Sequence, residues 1–186
     1  MKKYIVFIGI GLVLILTGAY MGSQKNNTNT NRETLTGTVT YSNETYGFSF
    51  DYKKGNSGYT LTENETEDLL VILTHQSELH SFSTSTPGEY PPAITVRIYE
   101  NKPIVPPDRW LQKNAQRVLP VPSSEKEVVL PVGKGLSFES DGLYRTQHVL
   151  LSKDQHVYLI SGEYIDRESQ IAKDFFEIIN TFRFLQ

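Results

Sequence analysis

The sequence predicts an α+β domain, an antiparallel β-sheet flanked by helices, preceded by a single N-terminal transmembrane helix. Three observations predict this class. Segments in which apolar and polar residues alternate recur along the chain, for example at 46–52 and 93–99. Residues 166–180 have the apolar spacing of one amphipathic helix. Residues 1–22 contain a long apolar run behind two lysines. Strand segments outnumber helical ones, which is typical of the α+β class.

The N-terminal segment predicts attachment to a membrane. Residues 4–22 carry no charge, and a helix of about 20 residues crosses a bilayer core of about 30 Å. Lys2 and Lys3 favour a cytoplasmic N-terminus and an extracytoplasmic C-terminal domain. We expect residues 1–22 to be an uncleaved signal anchor. The alternative is a cleaved signal peptide, which would release a secreted domain and offers only Thr17-Gly18-Ala19 as a cleavage site. Ala19 stands where a lipoprotein signal requires cysteine, so lipidation is excluded.

Composition limits the remaining possibilities. The chain has 186 residues and no cysteine, which excludes a disulfide scaffold, a thiolate zinc site and a cysteine nucleophile. Its net charge is −3, and leaving out Lys2 and Lys3 lowers it to −5, so we expect no nucleic-acid partner. We expect a signal anchor or signal peptide at 1–22, a flexible polar spacer at 23–33, and one extracytoplasmic α+β domain at 34–186.

The first half of the domain reads mainly as strands. Residues 34–40 alternate, and residues 46–52 place four aromatic rings on one face. Glycines in 53–58 predict a loop. Residues 69–74 form a continuous apolar run, which predicts a strand covered on both faces. The Ser, Thr and Pro content of 75–92 predicts a long loop, and residues 93–99 predict a further strand.

The second half adds two helices and a hairpin. Prolines block regular structure at 103–107, and residues 108–116 predict a short helix with Trp110, Leu111 and Ala115 buried. Strands are predicted at 127–132, 135–139, 143–152 and 155–165. The last two form a hairpin around a Lys153-Asp154 turn. Asp166 is the expected cap of a helix to about residue 180, and residues 181–185 are expected to form a short strand or an extended tail. The total is six to eight strands and two helices.

Two segments resemble PsbP-like domains. The first is Tyr41-Ser42-Asn43 followed by 46–52 (YGFSFDY), which is similar to their short aromatic opening strand. The second is 176–184 (FEIINTFRF), which is similar to their closing helix and final strand. The resemblance covers under a fifth of the chain, and it implies an α-β-α sandwich around an antiparallel sheet. Because these motifs consist of core residues, it implies a fold and no activity.

The histidines are the first candidates for chemistry. His75 and His80 are five residues apart, and an odd separation points side chains to opposite faces of a strand. His148 and His156 flank the hairpin turn. A two-residue turn at Lys153-Asp154 places their rings on opposite faces, whereas a three-residue loop would allow a shared metal. We interpret all four as loop or strand residues, not ligands.

Other motifs also favour binding over catalysis. No G-x-S-x-G nucleophile motif is present, and residues 133–137 lack P-loop spacing. The acidic residues Glu63, Glu65, Glu67 and Asp68 lack EF-hand order, and we interpret them as a solvated loop. Tyr90, Trp110 and Tyr144 are the aromatic residues considered for exposure in a binding groove.

We therefore expect a membrane-anchored extracytoplasmic domain that binds a protein or cell-envelope component without catalysis. We assign no catalytic, cofactor or metal residues and expect no cofactor. The alternative function is a hydrolytic enzyme whose site is assembled from distant residues.

Overall fold

Strands make up about half of the residues that the computed structural model describes. These are residues 37–65, 68–82 and 90–186, with no side chains described at 80–82. The strands are Gly37–Asn43 (β1), Phe48–Lys54 (β2), Tyr59–Glu65 (β3), Leu69–His75 (β4), Ala93–Glu100 (β5), Lys126–Leu130 (β6), Gly133–Asp141 (β7), Arg145–Lys153 (β8), His156–Tyr164 (β9) and Arg183–Phe184 (β10). The helices are Gln76–Phe82 (α1), Pro107–Lys113 (α2), Ala115–Val118 (α3) and Gln170–Thr181 (α4).

These strands form a single mixed sheet in the order β1-β2-β3-β4-β5-β9-β8-β7-β6, and β10 pairs with β2. Neighbouring strands are antiparallel except β2 and β3, which run parallel and meet at one pair, Lys54 and Tyr59. The centre of the sheet joins strands that are distant in sequence, since Val96 of β5 pairs with Ile160 of β9. The described strands therefore belong to one hydrogen-bonded sheet.

Helix α4 covers one face of the sheet. Ser169 is its N-cap and accepts a hydrogen bond from the Ala172 amide at 3.3 Å. The helix turns Ile171, Phe175, Ile178 and Ile179 inward, as the sequence predicted. These side chains join Phe48 and Phe50 of β2 and buried residues of β4, β5, β8 and β9 in the larger core.

Helices α2 and α3 cover part of the opposite face. Trp110, Leu111 and Val118 pack against Tyr99 of β5 and Phe138 of β7 in a second, smaller core. This confirms the predicted burial of Trp110 and Leu111, which are 4% and 2% exposed. Ala115 is only half-buried, because the helical path breaks at Asn114 between α2 and α3.

The predicted class, an antiparallel sheet flanked by helices in a PsbP-like α-β-α sandwich, is wrong. The protein is mostly a ten-stranded mixed sheet with few helices. Among the helices in the described ranges, only α4 exceeds seven residues, and α2 and α3 have seven and four. The segment of α2 and α3 cannot extend into a helical layer because prolines lie at 103, 106 and 107 before it and at 120 and 122 after it.

Several local predictions also need correction. The 75–92 segment begins with α1, where a loop was predicted. Strand β3 was missed because Leu61 is its one aliphatic residue. Helix α4 begins after Ser169; Asp166 instead accepts a hydrogen bond from the Glu168 amide in the preceding turn. The strand at 69–74 is fully covered on one face and half-buried on the other.

The β8–β9 hairpin was predicted correctly, with its turn displaced by one residue. Lys153 pairs with His156, so the turn residues are Asp154 and Gln155. Asp154 adopts a left-handed conformation with φ of 52°, which Asp tolerates in turns. The displacement leaves His148 and His156 on opposite faces, as predicted.

The predicted anchor at 1–22 and the spacer at 23–33 lie outside the described residues. Within the described ranges, no helix is both long and apolar enough to cross a membrane.

Candidate functional site

A cleft of about 280 Å³ opens beside α2, at the edge of the smaller core. Its floor is aromatic: Tyr99 and Trp110 lie 5.0 Å apart between ring centroids, and both are 4% exposed. Pro107 begins α2, and the Trp110 amide bonds the Pro106 carbonyl at 2.9 Å, closing the first helical turn. Pro106 and Pro107 therefore fix where α2 starts, and this start turns Trp110 toward the cleft.

One wall of the cleft is the loop after β5, and Asn101 holds it in place. This side chain is 2% exposed; its amide donates to the Val105 carbonyl at 3.0 Å and its oxygen accepts from the Val105 amide at 3.2 Å. The same amide group also lies 3.3 Å from Ser152 Oγ on β8. A buried, fully bonded asparagine gives the wall a defined shape.

Three cations surround the cleft: Lys102, Lys113 and Arg117. Arg117 lies over the Tyr99 ring at 4.6 Å and bonds Asp68 at 3.1 Å. Lys102 pairs with Glu100, and this contact lowers the pKa of the Glu100 carboxyl. Lys113 is exposed at the end of α2.

The cleft has the chemistry of a binding site for an acidic group. Its three cations exceed its two carboxylates by one charge, and those carboxylates already contact cations. The aromatic floor beneath these charges is almost fully buried and gives the cleft a fixed shape. Among the described lining residues, none is a histidine, serine or threonine.

His148 lies elsewhere, enclosed within the sheet. Its Nε2 is 2.7 Å from Ser140 Oγ, its Nδ1 is 2.8 Å from Ser161 Oγ, and its ring stacks on Phe138 at 4.6 Å. The side chain is 6% exposed, and burial lowers its pKa to about 4. The imidazole is therefore neutral at pH 7, with both nitrogens in hydrogen bonds.

The other histidines are separated from His148. His156 lines a second cleft of about 390 Å³ near the chain's last residues, with its ring edge against Tyr46 at 5.6 Å. His75 ends β4, bonds Ser77 Oγ at 2.7 Å and contacts the Tyr59 ring at 5.0 Å. The side chain of His80 is not among those described. Within the described ranges, no three acidic or imidazole groups are placed to share a metal.

A buried carboxylate couples α4 to the sheet. Asp174 is 3% exposed and accepts hydrogen bonds from Lys53 Nζ, Tyr59 OH and Gln170 Nε2, each at 2.9 Å. Glu177 and Asp174 raise the pKa of the Lys53 amine, and burial raises that of the Tyr59 hydroxyl. These three partners of Asp174 belong to β2, β3 and α4, so the cluster holds the helix against the sheet.

The remaining candidates are scattered. Tyr90 is 81% exposed and Tyr144 is half-buried. Trp110 is buried, so the prediction that it is an exposed aromatic residue is wrong. Glu63 and Glu65 lie on β3, and only Asp68 reaches the cleft beside α2. Glu67 lies outside the described residues.

Sequence reasoning missed Lys113, Arg117 and Asn101. Lys113 and Arg117 are four residues apart, a spacing that would place two side chains on one face of a continuous helix, and this was the available signal. Nothing in the sequence predicts that Asp68, 49 residues earlier, lies opposite Arg117.

Comparison with known proteins adds no assignment to this geometry. No family model matches the chain, and the search of curated proteins finds no match.

Proposed function

We propose that the chain is a membrane-anchored extracytoplasmic protein that binds a protein or cell-envelope partner without catalysis. One observation carries the binding part: three basic side chains surround a cleft with a buried aromatic floor beside α2. This arrangement suits an acidic group of the partner, because the cations supply attraction and the packed aromatic floor fixes the shape of the cleft.

The anchoring part of the proposal is supported by the sequence of residues 1–22. Fractionation of cells that express the full chain tests it. We expect recovery with membranes, release by detergent, and retention during a high-salt wash, because an apolar helix is not displaced by ions. Recovery of the protein in the soluble fraction without detergent contradicts the anchor.

The cleft beside α2 is testable through its own reporter. The sequence contains one tryptophan, Trp110, so intrinsic tryptophan fluorescence reports on this cleft alone. Titrating the detergent-solubilised full chain with polyglutamate should change this fluorescence saturably, and polylysine should not. Lys113→Glu should weaken the apparent affinity by roughly tenfold, since it replaces an attraction with a repulsion.

The matched control is Lys173→Glu, the same charge change at an exposed position on α4. It should alter the affinity by less than about twofold, because α4 and α2 cover opposite faces of the sheet and solvent screens an exposed charge that lies away from the cleft. Equal weakening by the two variants would show that polyglutamate responds to overall charge and not to the cleft.

The alternative hydrolytic function would place its nucleophile and base at Ser140 and His148, which are 2.7 Å apart. The low pKa of His148 opposes this role, because an imidazole with a pKa of about 4 is a weak general base at neutral pH. A broad hydrolase screen of the full chain discriminates the two functions. An activity abolished by both Ser140→Ala and His148→Ala would favour the enzyme.

A further inference from the structure

Four large apolar or aromatic side chains are exposed at one end of the sheet: Tyr90, Leu119, Leu143 and Ile165, here called the apolar rim. They are four of the eight such exposed residues among the described residues. Their side chains are 81%, 64%, 72% and 76% exposed, respectively. Exposed apolar groups that cluster in this way mark interaction sites more often than scattered ones do.

Strand pairing places the rim at neighbouring strand ends. Arg145 pairs with Tyr164, so Leu143 and Ile165 lie just beyond the same end of β8 and β9. Pro120 pairs with Ser140, which carries Leu119 toward the same end of β7. Tyr144 OH donates to the Tyr90 carbonyl at 2.7 Å. This hydrogen bond connects Tyr90, the fourth residue of the rim, to the segment that carries Leu143.

Leu119 is held in an unfavourable backbone conformation. Its φ and ψ are 48° and 56°, the left-handed region that glycine and asparagine favour at helix ends. Leucine gains no burial there, since its side chain is 64% exposed. A strained backbone that presents an apolar side chain to solvent points to a contact made outside the described domain.

The chain that precedes β1 indicates what the rim contacts. Gly37 pairs with Lys54, Lys54 with Tyr59, and Tyr59 with His75, so β1 begins at the strand ends that include the rim. Residues 23–36 lie between this point and the apolar run at 4–22, and such a length spans up to about 45 Å when extended. A tether this short keeps any anchored domain at high effective concentration over the bilayer surface.

The charges around the rim do not favour an anionic surface. Arg145 and Arg167 are outnumbered in segments 139–145 and 163–168 by the acidic residues Glu139, Asp141, Glu163, Asp166 and Glu168, and Arg167 already bonds Glu139 at 2.9 Å. Without an excess of positive charge, attraction to a membrane depends on the apolar side chains, and aliphatic tips with tyrosine are typical of contact with the membrane interface.

We infer that the apolar rim docks the domain onto a lipid bilayer, a second membrane contact beside the N-terminal segment. The inference rests on the proposed membrane attachment. Insertion of Leu119, Leu143 and Ile165 among the headgroups buries side chains that the fold leaves in water. It also orients the cleft beside α2 relative to the membrane.

Single labelled cysteines test this docking, because the chain contains no native cysteine. Gly142→Cys places a fluorophore beside Leu143, where an added Cβ meets no atom within 4 Å. Gln155→Cys, in the turn at the other end of β8 and β9, is the matched control. Each full-length variant is reconstituted into phosphatidylcholine nanodiscs that contain a lipid with a nitroxide quencher at the interface.

We expect the label at 142 to be quenched at least about threefold more than the label at 155, and equally at about 0.1 and 0.5 M NaCl. The further changes Leu119→Asn, Leu143→Asn and Ile165→Asn should reduce quenching at 142 to the level at 155. These positions are exposed, and asparagine tolerates the left-handed conformation of residue 119, so the fold is retained.

Equal quenching at 142 and 155, or quenching that survives the three asparagine changes, overturns the inference. Protection of the label only in discs that hold two chains also overturns it, in favour of self-association. If the chain enters the discs but the label at 142 is not quenched, docking by the apolar rim is refuted and the proposed anchor is not. If the chain never enters membranes, the proposed function is refuted as well.

Discussion

At the scale of single residues, His148 illustrates how burial decides chemistry. The ring is enclosed between two serine hydroxyls and Phe138, and its pKa is lowered to about 4. Both nitrogens are satisfied, so the side chain specifies how β7, β8 and β9 align. The sequence shows a histidine on a strand, but it does not show which hydroxyls surround it.

The stability of the protein should depend on pH through His148. As the pH falls from about 6.5 to 4, the unfolded chain binds a proton that the folded imidazole does not, so the free energy of unfolding decreases by roughly 3 kcal/mol. His148→Gln removes this contribution. Urea unfolding at pH 7 and pH 4 should show the stability advantage of the native protein over the variant shrinking at low pH. An advantage of equal size at both pH values would contradict the assignment.

At the scale of elements, the contact between α4 and β9 depends on a missing side chain. A Cβ atom at Gly162 would lie 2.7 Å from the Phe175 ring, which is fully buried. The helix therefore approaches the sheet more closely here than any larger residue allows. This contact brings Phe175 into the larger core.

Gly162→Ala should destabilise the protein by about 1–3 kcal/mol, because the fully packed Phe175 ring must move. Gly142→Ala is the control, since an added Cβ there meets nothing within 4 Å. Urea unfolding of Gly162→Ala, Phe175→Leu and the double variant measures the coupling. The double variant should lose less stability than the sum of the two single changes, and simple additivity would argue against the contact.

The accuracy of the sequence predictions also differs between elements. The β8–β9 hairpin and the inward face of α4 are predictable, because their apolar periodicity is continuous. Strand β3 is not predictable from the sequence, because its residues after Leu61 are all polar. It is held in the sheet by pairing with the apolar strand β4. The cleft beside α2 is unpredictable for a related reason: it joins Asp68, Asn101 and Arg117 through tertiary contacts.

At the scale of the whole molecule, two parts of the sheet meet at a narrow junction. Strands β2 and β3 share one residue pair, and the chain passes between them through a tight turn. The Gly58 amide donates to the Gly55 carbonyl at 2.9 Å, and the Gly58 carbonyl accepts from the Gln76 amide at 2.9 Å. This junction connects β1, β2 and β10 to the rest of the sheet.

Gly58→Ala should destabilise the whole domain by more than about 2 kcal/mol, because a Cβ would overlap the Lys53 carbonyl, a backbone group that cannot rotate away. Thermal unfolding measures the effect, again against Gly142→Ala. A melting temperature for Gly58→Ala equal to that of the control would show that the junction adjusts without cost.

The pairing of β2 with β10 has a consequence for biosynthesis. The Asp51 amide donates to Thr181 Oγ1, 130 residues later, and Phe48 pairs with Phe184 near the last residue of the chain. The ribosome synthesises β2 long before α4 and β10, so the larger core cannot close until residues 170–184 have emerged. Until then β2 lacks its β10 partner, and loss of Arg183 and Phe184 would remove that pairing while the pairing of β2 with β1 stays.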